Sequence, residues 1–229
     1  MQPHKQACLP ARQAVFQSAP FARFAGGSYD GTLSVKELKT HGNFGIGTVN
    51  GLDGEMIALD NNFYQVRTDG KVYAIKDNTL TPFATVIFFS AQMEKVLNAR
   101  TDFAGLAGFL DGILTDREKL YAIKITGKFS ALKLRSIPRQ DQPFPVLSEV
   151  IKKQETFEYK DMSGVLVGFK FPKSMEGVGV AGYHFHFISQ DRKSGGHLLD
   201  CRFEHVFIEI EEVSQLVLNC KSSFRESAV

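Results

Sequence analysis

Apolar and polar residues alternate with the two-residue period of a β-strand along much of the chain. From Gly45 to Ile75, short runs of this kind are separated by Asp-Gly and Asp-Asn-Asn sequences, which favour tight turns. The pattern therefore predicts an antiparallel meander with strands at Gly45–Val49, Glu55–Leu59, Phe63–Arg67 and Lys71–Ile75.

Further apolar runs predict a buried strand at Thr85–Ser90 and a hairpin that turns at Gly127-Lys128. The two strands of that hairpin are Leu120–Thr126 and Phe129–Ile137. The second half of the chain is mostly strand, with runs at Thr156–Tyr159, Val165–Phe171, Gly182–Ser189, His197–Phe203 and His205–Val213.

A few helices interrupt the strands. Ser34 and Glu37 have the spacing of a capping box, which predicts a short helix that stops at Gly42. Helical spacing also covers Asp102–Leu114, and Val146–Gln154 after a proline-rich loop. We expect an α+β fold of two sheet-containing α/β subdomains, mainly antiparallel or mixed. The predicted division is a loose N-terminal extension (residues 1–25), one sheet subdomain (26–140) and a second that carries a histidine cluster (141–229).

Composition and charge exclude several classes of protein. The 229 residues are 43% hydrophobic with a net charge of +2, which is typical of a globular protein and gives no basic surface for nucleic acid or membrane. The first twenty residues lack the apolar stretch of a signal peptide, and no run is long enough to span a membrane. Cys8, Cys201 and Cys220 form no C-x-x-C motif and are expected to be reduced thiols of a cytoplasmic protein.

Three of the six histidines fall within fourteen residues, in the sequence GYHFHFISQDRKSGGH. Because side chains alternate along a strand, His184 and His186 share one face. His197 opens the returning strand after a Ser-Gly-Gly turn, and it joins that face if Ile188 lies opposite it. Three neutral imidazoles with open coordination positions suit a catalytic zinc ion or another divalent transition metal.

Other interpretations of these histidines remain open at this stage. His184 and His186 could be satisfied polar residues on a half-exposed strand. A cupin is excluded because Ser189, Gln190 and Asp191 stand where a glutamate is needed. A non-catalytic metal-binding module, and a zinc hydrolase or hydratase, remain as alternatives.

Two charged residues are candidates for chemistry. Glu55 shares a strand face with Ile57 and Leu59, so it needs a metal or arginine partner unless it is a strand-end carboxylate that reaches water. Arg135 shares a face with Lys133, which predicts either a solvated face or a guanidinium that clamps a substrate carboxylate.

Four stretches together resemble the acetolactate decarboxylase family: HGNFGIGTVNGLDGEMIALDNNFYQV, ALKLRSIPRQDQPFPVL, LVGFKFP and GYHFHFISQDRKSGGHLLDC. The resemblance runs from about Tyr29 to about Glu212, and the histidine stretch is its most specific part. It implies a zinc enzyme that converts 2-acetolactate to acetoin and CO2, with two α/β domains and typically a homodimer.

The resemblance also implies roles for individual residues. The metal ligands fall on His184, His186 and His197, the metal-proximal glutamate on Glu55 and the active-site arginine on Arg135. Thr48 and Leu52 match positions that line the pocket. The family's further glutamate in the C-terminal tail has no motif here, where the tail offers only Glu226.

Those residues predict a mechanism. A metal ion bound to the ketone and hydroxyl oxygens of acetolactate stabilises, as a Lewis acid, the enediolate that loss of CO2 leaves, and no organic cofactor is needed. Arg135 would hold the carboxylate until it leaves, and Glu55 would protonate the enediolate.

Overall fold

The computed structural model describes residues 14–220, and their core is two β-sheets packed face to face. The first sheet has seven strands: β1 (Ala14–Gln17), β3 (Phe44–Gly47), β4 (Glu55–Leu59), β5 (Asn62–Val66), β6 (Val72–Ala74), β8 (Ala84–Ile87) and β14 (Gln215–Leu218). β2 (Leu33–Ser34) and β7 (Leu80–Thr81) form a separate ribbon.

The predicted meander is confirmed. β3, β4, β5 and β6 are antiparallel neighbours in chain order. β8 lies on the other side of β3, and all four of its residues are buried. The buried strand predicted at Thr85–Ser90 is therefore confirmed as far as Ile87, whereas Phe88 is 37% exposed. β14 adds to β1 in parallel at the edge of this sheet.

The second sheet consists of long strands: β9 (Met93–Asp102), β10 (Leu120–Ser136), β11 (Glu155–Phe171), β12 (Gly182–Ser189) and β13 (Gly195–Val213). β10 and β12 each pair with both β11 and β13, so these four strands form a closed ring. β9 pairs with β13 alongside the ring.

Four α-helices and one 3-10 helix (Lys173–Met175) complete the described part of the chain. The α-helices are α1 (Phe21–Ala25), α2 (Val35–Leu38), α3 (Phe103–Ile113) and α4 (Leu147–Ile151). The capping box is confirmed, since the Ser34 hydroxyl accepts a hydrogen bond from the Glu37 N–H at 3.2 Å. Asp102 caps α3 in the same way. No helix among residues 14–220 is long and apolar enough to cross a membrane.

The two sheets bury a shared apolar core. Phe44, Ile57 and Val66 of the first sheet pack against Val167 and Phe169 of the second. A second core lies inside the ring and is closed by the apolar face of α3. The α+β class and the mainly antiparallel pairing are confirmed.

Three long strands were each predicted as two short ones. The hairpin at Gly127-Lys128 is wrong, because β10 runs through this point and keeps pairing with β11 and β13. Register shifts near Gly127 and Phe129 show how the strand bends to close the ring. Such bends place polar residues and glycine inside a continuous strand, which in sequence looks like a turn.

The sheets also divide the chain differently from the boundary expected near residue 140. The chain passes from the first sheet to the second between β8 and β9. β9, α3 and β10 therefore belong with β12 and β13, the strands that carry the clustered histidines. The loose extension of residues 1–25 is wrong for residues 14–25, because β1 and α1 are ordered elements with buried Val15 and Phe16. β1 pairs with β8 and with β14 near the other end of the chain, contacts that no local pattern reveals.

Candidate active site

The three clustered histidines lie side by side on the second sheet. His186 on β12 is directly opposite His197 on β13, and His197 is directly opposite Arg135 on β10. Residues opposite each other in neighbouring strands share a face, so His186, His197 and Arg135 form one row of side chains on the same face of the sheet. His184 lies two residues before His186 on the same face. The ligand nitrogens of the three histidines all lie within 4.8 Å of one another.

The strand register differs in detail from the predicted one. Ile188 lies opposite Gly195, and His197 lies opposite His186. The difference is two residues, so the face of His197 is unchanged and the predicted convergence of the imidazoles is retained. Phe185 and Phe187 point to the opposite face, into the core of the ring.

Burial keeps the three imidazoles neutral. Burial, and to a lesser extent the nearby Arg135 charge, together lower the pKa of His184 to about 3. Burial also lowers the pKa of His186 and of His197 well below the usual value, with contributions from Arg135 and the neighbouring histidines. Neutral imidazoles keep a free lone pair, which a metal ion requires.

Backbone contact fixes which nitrogen of His186 faces the site. Its Nδ1 donates to the Met56 carbonyl at 2.9 Å, so the lone pair is on Nε2. Nε2 is buried and has no hydrogen-bond partner among residues 14–220. Glu55 Oε2 lies 3.4 Å away, but this is not a salt bridge because the ring is neutral. An acceptor nitrogen facing a carboxylate oxygen calls for a cation or a proton between them.

The remaining histidine nitrogens also fit a metal ion. His184 Nε2 and His197 Nδ1 are 3.1 Å apart. If neither nitrogen carries a proton, this separation suits two ligands of one ion, since nitrogens about 2.0–2.1 Å from zinc lie roughly 3.0–3.4 Å apart. The orphaned nitrogen of His186 and this spacing together show that the donor set fits a divalent transition metal.

Glu55 and Arg135 form an ion pair across the two sheets. Arg135 Nη1 is 3.3 Å from Glu55 Oε1, and the side chains are only 12% and 7% exposed. Burial raises the pKa of Glu55, and Arg135 opposes that rise. The alternative of a strand-end carboxylate that reaches water is therefore wrong. The solvated-face interpretation holds for Lys133, which is exposed, but is wrong for Arg135, which the first sheet covers.

These side chains form the floor of a cavity of about 270 Å³. Thr48 and Leu52 line it, as the resemblance implied. Thr48 is also tied into the loop before β4, since its hydroxyl donates to the Gly54 carbonyl at 2.6 Å. Glu226 lies outside the described residues.

The roof of the cavity was not predicted from the sequence. It is apolar and comes mainly from the short helices α1 and α4, through Phe21, Phe24, Leu147 and Ile151. Phe83, Ile137 and Val180 complete the walls. The only sequence signal was a high density of phenylalanine before Gly26, in a segment interpreted as loose.

Comparison with known proteins gives one consistent family. Residues 15–228 match the family model described as alpha-acetolactate decarboxylase. The alpha-acetolactate decarboxylase of Methanosarcina mazei is 45% identical over 194 residues, which cover 85% of this chain and 67% of that protein. The enzyme of the same name from Methylococcus capsulatus is 40% identical over 201 residues, 88% of this chain and 77% of that protein.

A solved structure shares the fold. The crystal structure of alpha-acetolactate decarboxylase from Bacillus subtilis strain 168 superposes with a TM-score of 0.89 at 32% identity. The match covers 92% of this chain and 90% of that one.

Proposed function

The chain belongs to the alpha-acetolactate decarboxylase family, and on that premise we propose that it decarboxylates 2-acetolactate to acetoin at the histidine cavity, with a divalent metal ion. It is a carboxy-lyase by its family. The observation that carries the metal site is the buried, unpartnered Nε2 of His186 beside two further neutral imidazoles.

His184, His186 and His197 would hold the ion. Zinc or another divalent transition metal would act there as a Lewis acid toward the oxygens of the substrate. The Met56 carbonyl orients His186, as hydrogen-bonded partners of metal ligands commonly do. Because all three ligands are neutral, the charge of the ion is retained for the substrate, and no organic cofactor is required.

Arg135 would bind the substrate carboxylate. A guanidinium has five N–H donors, so contact with Glu55 leaves donors for a second carboxylate. Decarboxylation breaks the bond between the carboxyl carbon and C2, and the electron pair moves toward the ketone to leave an enediolate. By fixing the carboxylate, Arg135 would orient that bond for cleavage.

Glu55, whose protonated form burial favours by raising its pKa, would donate that proton to C2 and regain one from water after product release. Its carboxyl group lies between Arg135 and His186 on the cavity floor, beside the groups that would hold the substrate. Protonation of C2 converts the enediolate into acetoin. The apolar roof would exclude bulk water, so that the proton comes from a fixed direction and the charges on the floor are not screened.

Two further proposals concern the oligomeric state and the cellular location of the protein. We propose a homodimer in the cytoplasm, on the basis of the family resemblance and the reduced cysteines. Cys201 and Cys220 are both free thiols, which agrees with a reducing compartment. Nucleic acid and membrane surface are not expected partners.

A metal-removal experiment tests the proposal. The purified protein is dialysed against a chelator, its metal content is measured, and acetoin formation from racemic acetolactate is assayed before and after adding zinc. We expect loss of activity on removal and recovery on addition. Metal-free protein with full activity would contradict metal dependence. Protein that retains metal but forms no acetoin would favour a non-catalytic binding module. Protein that instead hydrolyses an ester would favour a zinc hydrolase.

A further inference from the structure

The catalytic pair is split between the two sheets. Glu55 is on β4 of the first sheet and Arg135 on β10 of the second, and their side chains meet at 3.3 Å. The separation of the two groups therefore depends on how the sheets dock at this point, not on the geometry of either sheet alone.

Besides the contact between Arg135 and Glu55 itself, three hydrogen bonds dock the sheets around Glu55. The Gly54 N–H donates to the Ile137 carbonyl at 3.0 Å, and His186 Nδ1 donates to the Met56 carbonyl at 2.9 Å. The third is made by Ser136, whose hydroxyl donates to the Val66 carbonyl at 2.8 Å. Of the three, only the Ser136 bond has a donor that can be removed without changing the backbone or a candidate metal ligand.

The two ends of the Ser136 bond adjoin the two members of the ion pair. Ser136 follows Arg135 in the chain, and Val66 is the cross-strand partner of Glu55. Ser136 and Val66 are both completely buried. Neither residue lines the cavity, so Ser136 does not touch the substrate.

The close approach at this point leaves little room for adjustment. Gly54 has a positive φ of 77°, and a Cβ added to it would lie 2.2 Å from the Val66 carbonyl oxygen. The Val66 carbonyl is thus enclosed by Gly54 on one side and by the Ser136 hydroxyl on another. A shift of β5 relative to β10 would move Glu55 with it.

From these contacts we propose that Ser136 is a positioning residue, whose hydroxyl bond to Val66 sets the distance between Arg135 and Glu55. The inference rests on the proposed roles of Glu55 and Arg135. Losing the bond leaves the buried Val66 carbonyl with one hydrogen bond fewer and lets the two strands separate slightly. A displacement of about 1 Å at a reacting group can cost about a hundredfold in rate, so a smaller one should cost about tenfold.

The test is a double-mutant cycle of Ser136→Ala with Arg135→Ala. We expect Ser136→Ala to lower kcat about tenfold with a smaller change in KM. Binding of a non-reactive analogue, in which the ketone of acetolactate is reduced to an alcohol, should weaken several-fold in calorimetry. In the Arg135→Ala background, the further effect of Ser136→Ala should be less than about twofold, because the group it positions is gone.

Matched variants separate positioning from general stability. Tyr159→Phe removes another hydroxyl-to-carbonyl contact between the sheets, to Gly70 at 3.4 Å, outside the cavity, and should leave kcat and analogue binding unchanged. Ser136→Thr keeps the hydroxyl and should retain more activity than Ser136→Ala. If the alanine variant does not fold, Ser136→Cys replaces it, since a thiol is a weak donor of similar size. The kcat of the cysteine variant should lie between that of wild type and the roughly tenfold lower value expected for Ser136→Ala.

Three results would overturn the inference: wild-type kcat in Ser136→Ala, an equal fold-loss in the Arg135→Ala background, or loss of bound metal in Ser136→Ala. Full activity of Arg135→Ala alone would instead refute the proposed role of Arg135, so the two failures are distinguishable.

Discussion

The floor and the roof of the cavity are built in opposite ways. The floor consists of buried and partly buried polar side chains on the paired strands β4, β10, β12 and β13, where the register fixes each position. The roof consists of apolar side chains on α1 and α4, helices of five residues each without a side-chain cap. Rigid strands thus hold the chemistry, and short helices enclose it.

This difference predicts different consequences of substitution. Each floor residue depends on a named partner, so its replacement should change chemistry while the fold persists. Roof residues share one property, apolar bulk, so their replacement should change the size of the accepted substrate and, modestly, stability. The following substitutions test this contrast.

The largest effect is expected for His186→Gln on the floor. Removing one of three proposed ligands should abolish stable metal binding and lower kcat/KM by more than about a hundredfold, since loss of even an outer-shell partner costs ten- to a hundredfold. Metal content and acetoin formation are the measurements. His205→Gln, at an exposed histidine outside the cavity, is the control. A His186→Gln enzyme with full metal content would remove His186 from the ligand set.

Arg135→Lys should have the next largest effect. Lysine keeps the charge but loses the planar two-pronged donor geometry. A charge-assisted hydrogen bond contributes about 1.5–3 kcal/mol, so kcat/KM should fall about ten- to a hundredfold. Metal content should be unchanged, and Arg135→Ala should be more severe.

The control is Lys133→Ala, on the same strand face but exposed, which should have near-normal activity. Normal acetoin production by Arg135→Lys would argue against a two-pronged clamp, and by Arg135→Ala against any role in the reaction.

A smaller effect is expected in the roof. Leu147→Ala enlarges the cavity at a partly buried position, so the preference for acetolactate over its homologue with ethyl in place of methyl should fall by up to about tenfold. Competition assays with both substrates measure the ratio. Leu80→Ala, at a leucine that is 40% exposed, is the control. If Leu147→Ala lowered kcat equally for both substrates, the distinction between floor and roof would be lost.

The smallest effect concerns a buried acid outside the cavity. Glu211 is fully buried and has no ion-pair partner among residues 14–220. Of its two carboxylate oxygens, only Oε2 accepts a hydrogen bond, which the Ser90 N–H donates. Burial raises the pKa of Glu211. Its protonated form is therefore favoured in the fold, and the associated stability is lost as pH rises through the folded pKa.

Glu211→Gln should consequently be more stable than wild type at pH 8, by about 1 kcal/mol or about 2–4 °C in Tm, with a smaller difference near pH 4. Thermal unfolding at the two pH values measures this. A difference that does not change with pH would contradict the assigned cause. Glu55 is also buried, but it differs from Glu211 because Arg135 is its ion-pair partner.

Prediction from sequence succeeded where the determining contacts are local. The cap at Ser34, the meander from Gly45 and the shared face of His184 and His186 all follow from neighbours in the chain. Prediction failed at Gly127, because bending of the closed ring places a glycine inside a continuous strand. It also failed before Gly26, because β1 pairs with segments that are distant in the chain. Local turn chemistry and ring curvature use the same residues, so the pattern alone does not distinguish them.

The sequence by itself determined which residue types are present and which face of its strand each one occupies, because alternation along a strand is a local property. It also determined the family. Only the tertiary structure decided that Arg135 is covered while Lys133 is exposed, that Glu55 meets Arg135 across two sheets, and that phenylalanines near the N-terminus roof the cavity. These outcomes depend on how whole sheets dock, and docking is set by contacts between segments far apart in the chain.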